Sequence, residues 1–301
     1  MVVCLTFCLW PLSSVAAQPP TTPATLDVRV IANASGEKAV AGKDGVVKIG
    51  WSRTDVPVTI DGMRFPPAAG LGSWAAFKPM TGGDAMVMGD TVVFQDEVDA
   101  AMDAAFAHGL GVTALHNHFF YADPPVYFMH IEGEGEPVAL ATGVKAVWDA
   151  IRAVRAKHPV PATEFPGVVV KPGQLDSAAL SRALRQPAQN LPGVVKFTFG
   201  RNGTMDGIAI DGSMGLTTWA AFVGNDKLAV MDGDFLMTAA EVQPVLHALR
   251  KANIHIVALH THMIGETPVM YFTHFWGKGT SLPLARGFKS ALDAQAATGR
   301  H

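Results

Sequence analysis

The stretch "ALHNHFFYADPPVYFMH", Ala114 to His130, places histidines at 116, 118 and 130. A second stretch, "ALHTHMIGETPVMYFTH", Ala258 to His274, places them at 260, 262 and 274, each 144 residues after its counterpart. The same offset carries Gly89–Asp149 onto Gly233–Asp293 without a gap, and 20 of the 61 positions are identical. Upstream the offset drifts: Trp74-Ala75-Ala76-Phe77 returns as Trp219-Ala220-Ala221-Phe222, and Ile60-Asp61-Gly62 as Ile210-Asp211-Gly212. Drift of this kind marks insertions in loops. The repeating unit is about 120 residues, the size of a domain rather than of a solenoid repeat. The chain therefore reads as one domain duplicated in tandem.

Each copy has the same order of patterns. Apolar β-rich stretches (Val46–Trp51 and Val56–Ile60 in the first copy) precede a Trp-containing segment and a strand near Met86–Phe94. Helical periodicity follows at Asp96–His108 and at Ala239–Ala252. Two strands then carry the histidines, and a last helix runs over Pro137–Ala156 or Leu282–Ala297. Strands this close in sequence pair as hairpins, which predicts an α+β fold. Each copy is expected to form a mixed or antiparallel sheet with packed helices, and the copies to be related by a pseudo-twofold axis. The expected boundaries are 1–17 for a leader, 18–157 for the first repeat, 158–170 for a Pro-rich linker and 171–301 for the second repeat.

With 49% apolar and 16% charged residues, the 301-residue chain has ample material for a core. A net charge of −3 argues against a nucleic-acid partner. "MVVCLTFCLWPLSSVAAQPP" reads as an export signal, with Val15 and Ala17 at the −3 and −1 positions of a cut before Gln18. Its apolar part is too short to span a bilayer. The expected location is periplasmic or secreted. Both cysteines, Cys4 and Cys8, fall within this leader, so the mature chain has no thiolate ligand or nucleophile.

Histidines at i and i+2 of a strand share a face, about 7 Å apart. A turn centred on Pro124 would set His130 directly opposite His118, and one centred on Pro268 would do the same for His274 and His262. Three imidazoles then converge in each copy. His116, His118 and His130, and again His260, His262 and His274, form the ligand set of a catalytic zinc site with an open position, although another divalent metal or copper is compatible. Glu97 and Glu241 recur at matched positions as candidate general bases, while "TAAE", Thr238–Glu241, also reads as a capping box. Arg53 and Arg201 are matched cations able to hold an anionic substrate. Asp90 and Asp234, each beside a glycine, are expected in turns, and Glu132 shares a face with His130 where the second copy has Trp276.

The twice-repeated pattern "GD…E…ALHNH…P…YF.H..G.G…LA.G.K..LD" resembles the LppY/LpqO-type family of exported bacterial proteins. The His-x-His pair with a third histidine a dozen residues on is similar to the zinc site of the acetolactate-decarboxylase-like superfamily, which includes a zinc-dependent ester hydrolase. That resemblance implies zinc ligation by the six histidines. A cupin start (His-x-His-x3-Glu) fits "HTHMIGE", but the first copy has Ala122 at the glutamate position. The leading expectation is an exported metal-dependent hydrolase of a small ester or amide. Metal-assisted decarboxylation or lyase chemistry on an oxyacid, and non-catalytic binding of a metal or small ligand, are the alternatives.

Overall fold

The structure, a computed structural model, describes residues 25–299. The leader expected over residues 1–17 lies outside the described residues. Six helices are present among them: α1 (Val28–Ser35), α2 (Val98–Ala107), α3 (Pro137–Lys157), α4 (Ser177–Leu184), α5 (Ala239–Lys251) and α6 (Ser281–Thr298). The first repeat gives the main sheet β1 (Val40–Ala41), β2 (Val47–Ser52), β3 (Gly72–Pro79), β4 (Ala85–Phe94), β5 (Gly111–His116) and β6 (Val126–Gly135). The second gives β7 (Gln189–Leu191), β8 (Val194–Gly200), β9 (Thr217–Asn225), β10 (Leu228–Thr238), β11 (His255–His260) and β12 (Met270–Gly279). None of these helices is long and apolar enough to cross a membrane.

All twelve strands join one antiparallel sheet in the order β1-β2-β3-β4-β6-β5-β11-β12-β10-β9-β8-β7. The order reads the same from both ends. Its centre is the bridge of Leu115 to Leu259, residues 144 apart. Opposed residues of an antiparallel pair share a face, so this dyad is perpendicular to the sheet and puts the helices of both repeats on one side. The α+β duplication and its twofold arrangement are thus as the sequence pattern predicts. The repeats are not separate bodies, because a single apolar core runs through both.

The helices form because their apolar residues recur with helical spacing. Val98, Ala101, Met102 and Ala105 are buried on α2, and Val242, Val245, Leu246 and Leu249 on α5. Glu136 caps α3 by accepting from the Ala139 N–H, and Thr238 with Glu241 forms the expected capping box on α5. Two features escape the pattern. Short helices α1 and α4 open each repeat, and most of Val56–Ile60 is not in a strand. Only Thr59–Ile60 is extended, in a small sheet with Met63–Arg64 and Ala122–Asp123. Its equivalent joins Gly203–Met205 to Ile208–Ile210 and Glu266–Thr267. These ribbons brace the loops that follow the paired histidines.

The contacts around the dyad have diverged within a preserved frame. Asp103 receives two hydrogen bonds from Arg250, both 2.9 Å, while the dyad-related positions hold a stack of Phe106 on His247 at 3.9 Å. Arg250 also meets Asp99 at 2.8 Å, and Asp99 meets His255 Nδ1 at 2.5 Å. The dyad mate of that last pair is Gln243 with Gly111. The Gln243 amide accepts from Val112 N–H and donates to Val112 C=O (3.1 and 2.8 Å), lying where a Cβ on Gly111 would come within 3.2 Å. Arg250 is buried and Asp103 half exposed. Arg250→Ala is therefore expected to cost about 2 kcal/mol, short of the loss from a fully buried pair. Urea denaturation would measure it, and a change below a few tenths of a kcal/mol would show that the repeats hold together without this pair.

Candidate metal centre

The two histidine clusters lie on the sheet face opposite the helices. Leu115 and Leu259 point into the core, so their neighbours His116 and His260 point to the open face. The register differs from the hairpin expected around Pro124. His130 pairs with Ala114 on one side and Asp90 on the other, and His116 pairs with Phe128. His118 lies past the end of β5, and a bulge between Val112 and Ala114 shifts the pairing. The second repeat repeats this: His274 sits between Ala258 and Asp234, and His260 opposite Phe272. The turn is wider than the symmetric reading assumed, because five residues after His116 loop out before Ala122 resumes pairing.

The three imidazoles nevertheless converge. In the first repeat His116 Nε2 and His130 Nε2 are 3.0 Å apart, and the His116 and His118 ring centres 5.2 Å. Tetrahedral ligands at about 2.0–2.1 Å from zinc are about 3.3–3.4 Å from one another, close to that separation. Each first histidine turns Nδ1 toward the next residue's carbonyl, Asn117 or Thr261, which leaves Nε2 for the cluster. His118 and His262 are held flat against Phe128 and Phe272, with ring centres 3.3 and 3.4 Å apart. Burial holds both of these imidazoles below their usual pKa, and their histidine neighbours add to this against the pull of Asp90 or Asp234. They are therefore neutral at pH 7, the form that binds a metal.

Asp234 completes the second cluster and Asp90 stands beside the first, and the sequence alone points to neither as a ligand. Each lies inside a long strand, not in a turn, directly opposite the third histidine. Asp234 Oδ2 is 3.1 Å from His262 Nε2, and Asp90 Oδ1 is 3.9 Å from His130 Nε2. Asp234, His260 and His274 bring ligand atoms within 4.8 Å of one another. The preceding glycines are steric: a Cβ on Gly233 would meet Phe275 and the Trp219 carbonyl at 2.2 and 2.3 Å. Asp90 Oδ1, Asp234 Oδ1 and His260 Nε2 are buried with no hydrogen-bond partner. Unpartnered buried polar atoms are rare and costly; these three lie at the imidazoles, while the others among the described residues are Asp96 Oδ1, Arg155 Nε and Nη1, and Trp276 Nε1.

The other expected site residues are placed differently. Glu97 is fully buried, hydrogen-bonded to Arg53 at 2.8 and 2.9 Å and to the Phe94 N–H at 2.8 Å, and ion-paired with Arg155 at 2.6 Å. Arg53 is equally buried and also holds Asp55. Arg201 bonds Glu241 at 2.5 Å. Burial raises the Glu241 carboxyl, but Arg201 and the Thr238 N–H outweigh it and hold it below the usual range. The catalytic role expected of Glu97 and Glu241, and the substrate-binding role expected of Arg53 and Arg201, find no support in this placement. Their charges are spent on one another.

One row along each strand from the ligands, a carboxylate recurs by exchange. Position 88 faces 132, and 232 faces 276. The first repeat has Met88 opposite Glu132, and the second has Asp232 opposite Trp276. Burial pushes the Asp232 carboxyl up.

The model of a family described as Domain of Unknown Function (DUF1259) matches residues 29–150 and again 178–294. No curated protein matches the chain. Among solved structures, a trimeric bacterial microcompartment shell protein, PduB, is similar at 9% identity over 85% of this chain and 89% of that one, with a TM-score of 0.20. EtuB from Clostridium kluyveri is similar at 9% identity over 86% and 90%, with a TM-score of 0.21. At these scores the likeness carries no argument about this chain.

Two measurements separate the ligands from the ion-paired residues. Elemental analysis is expected to find two ions per chain in the unaltered protein and one in His118→Ala or in Asp234→Asn. The content should fall as pH drops below about 6, when protons compete for the imidazoles. Glu97→Ala is expected to keep both ions and to lose about 3 kcal/mol of stability, because it removes the carboxylate shared by the buried Arg53 and Arg155 and leaves Arg53 with Asp55 alone. Loss of an ion in that variant, with stability unchanged, would return Glu97 to the site.

Proposed function

The chain belongs to the family described as Domain of Unknown Function (DUF1259), and we propose that it is a metal-dependent hydrolase of small esters or amides. Each repeat holds one divalent ion, zinc in the first place. The observation that carries this reading is a buried, unpartnered carboxylate oxygen beside the imidazoles of each repeat, Asp234 within ligand reach of His260 and His274, and Asp90 3.9 Å from His130. Such an atom is stabilised by a cation, and each repeat provides neutral nitrogen ligands to share one.

The ion would supply Lewis acidity, polarising a substrate carbonyl and making water nucleophilic near neutral pH. The protein's own residues do the rest. His116, His130, His260 and His274 are set by the strands, and His118 and His262 by stacking on phenylalanine. The open face admits substrate, since His130, His262 and His274 are each about a third to two-fifths exposed (35%, 36% and 43% for their side chains). Glu132 and Asp232 stand one row away, placed to take the proton of an attacking water. The apolar leader expected at Met1–Ala17 puts this reaction outside the cytoplasm. Decarboxylation of an oxyacid is less favoured, because the arginines needed to hold the carboxylate are ion-paired.

A second reading, non-catalytic metal binding, draws on the fourth ligand: three imidazoles and one carboxylate fill a tetrahedral zinc shell. Hydrolysis of p-nitrophenyl acetate decides between them. The metal-loaded protein is expected to cleave it, to lose that activity with a chelator and to recover it with zinc. Two bound ions with no turnover of esters or amides would leave binding as the function.

A further inference from the structure

We infer that the second repeat carries a pocket for a neutral aromatic ester or amide and that the first repeat does not. The inference rests on the metal-dependent hydrolase reading above. A cleft of about 600 Å³ opens beside the second cluster, with His274 and Asp232 on one wall and Asp99, Leu115 and Tyr127 of the first repeat on the other. This volume is within the usual range for small-molecule sites. His274 therefore belongs both to the metal cluster and to the cleft, so a group bound in the cleft is brought to the ion.

The wall of the cleft is aromatic. Phe165, from the linker, lies nearly parallel to Trp276, 12° between planes and 6.4 Å between ring centres. His255 is 4.5 Å from Phe165 and is fixed in place by Asp99, which Arg250 holds in turn. Flat rings of this kind favour an aryl group by offset or edge contact. Trp276 Nε1 is buried with no hydrogen-bond partner, a donor available to a ligand oxygen. Asp232 and Glu164 also line the cleft and disfavour an anionic ligand. Together these groups describe a neutral aryl compound with an acceptor oxygen, not a free acid.

None of this has a counterpart in the first repeat. Trp276 corresponds to Glu132, His255 to Gly111 and Asp232 to Met88. The linker lines this cleft, and it is held there by Ala162 N–H on Asp96 at 3.1 Å and by Lys278 on the Pro166 carbonyl at 3.2 Å.

Calorimetric titration of the zinc-loaded full chain with benzohydroxamate and with acetohydroxamate tests the assignment. The phenyl probe is expected to bind at least about tenfold more tightly than the methyl probe, from burial of the ring. Phe165→Ala, at a half-exposed linker position, should remove that preference. So should the double variant His260→Ala/His262→Ala, whereas His116→Ala/His118→Ala should retain it. Equal affinity for the two probes, no binding of either, or a preference that survives Phe165→Ala or the loss of the second cluster, would overturn the pocket. The zinc content of the same samples separates the two levels. Two ions without an aryl preference refute the pocket alone, and an unaltered protein that holds no ion refutes the metal reading beneath it.

Discussion

The pairing of β5 with β11 is the constraint on which the molecule depends. It is a narrow junction, bridged at Leu115 and Leu259, yet it turns two half-sheets into one and lets two sets of helices share a core. Because these leucines face the helices, the adjacent His116 and His260 must face the other way. The same alternation that closes the core thus presents both histidine clusters on a common surface, one on each side of the dyad. A one-residue slip would turn the histidines into the core and the leucines out. The paired charges and the Gln243 clamp around the junction hold the register that the site requires.

Two kinds of buried carboxylate show how placement separates structure from chemistry. Glu97 is encircled by Arg53, Arg155 and a backbone N–H, so its charge is neutralised within the fold. Asp90 and Asp234 are also buried, but each leaves an oxygen without a partner and faces only imidazoles. Both types recur in the two repeats and are equally visible as matched acids in the sequence. Only their surroundings tell them apart: the first type is satisfied without a ligand, and the second is not.

Much of the fold was legible because duplication gave the chain an internal comparison. The helices over Pro137–Lys157 and Ala239–Lys251, the histidine strands and the twofold relation all follow from periodicity and the constant offset. The short opening helices were missed because eight residues carry little periodic signal and the offset drifts there. The histidines were legible as a set, but their register was not: a midpoint argument assumes a tight turn, and the loop after His116 is wide. Asp90 and Asp234 were assigned to turns on the strength of a glycine neighbour. The glycine answers instead to crowding by Phe275 and the Trp219 carbonyl, a contact distant in sequence. Strand parity counted from the histidines to residues 88–94 could not find these aspartates, because strand neighbours are set by topology.

The linker has a consequence that belongs to connectivity rather than to side chains. A dimer of two identical single-repeat chains would have two equal sites, and nothing in its symmetry would favour either. Fusing the copies requires one connection, and one segment cannot treat two equivalent places alike. Residues 162–166 line the cleft beside the second cluster, with Phe165 against Trp276. The inequality of the two halves is therefore inherent in the single connection, apart from the exchange of Glu132 for Trp276.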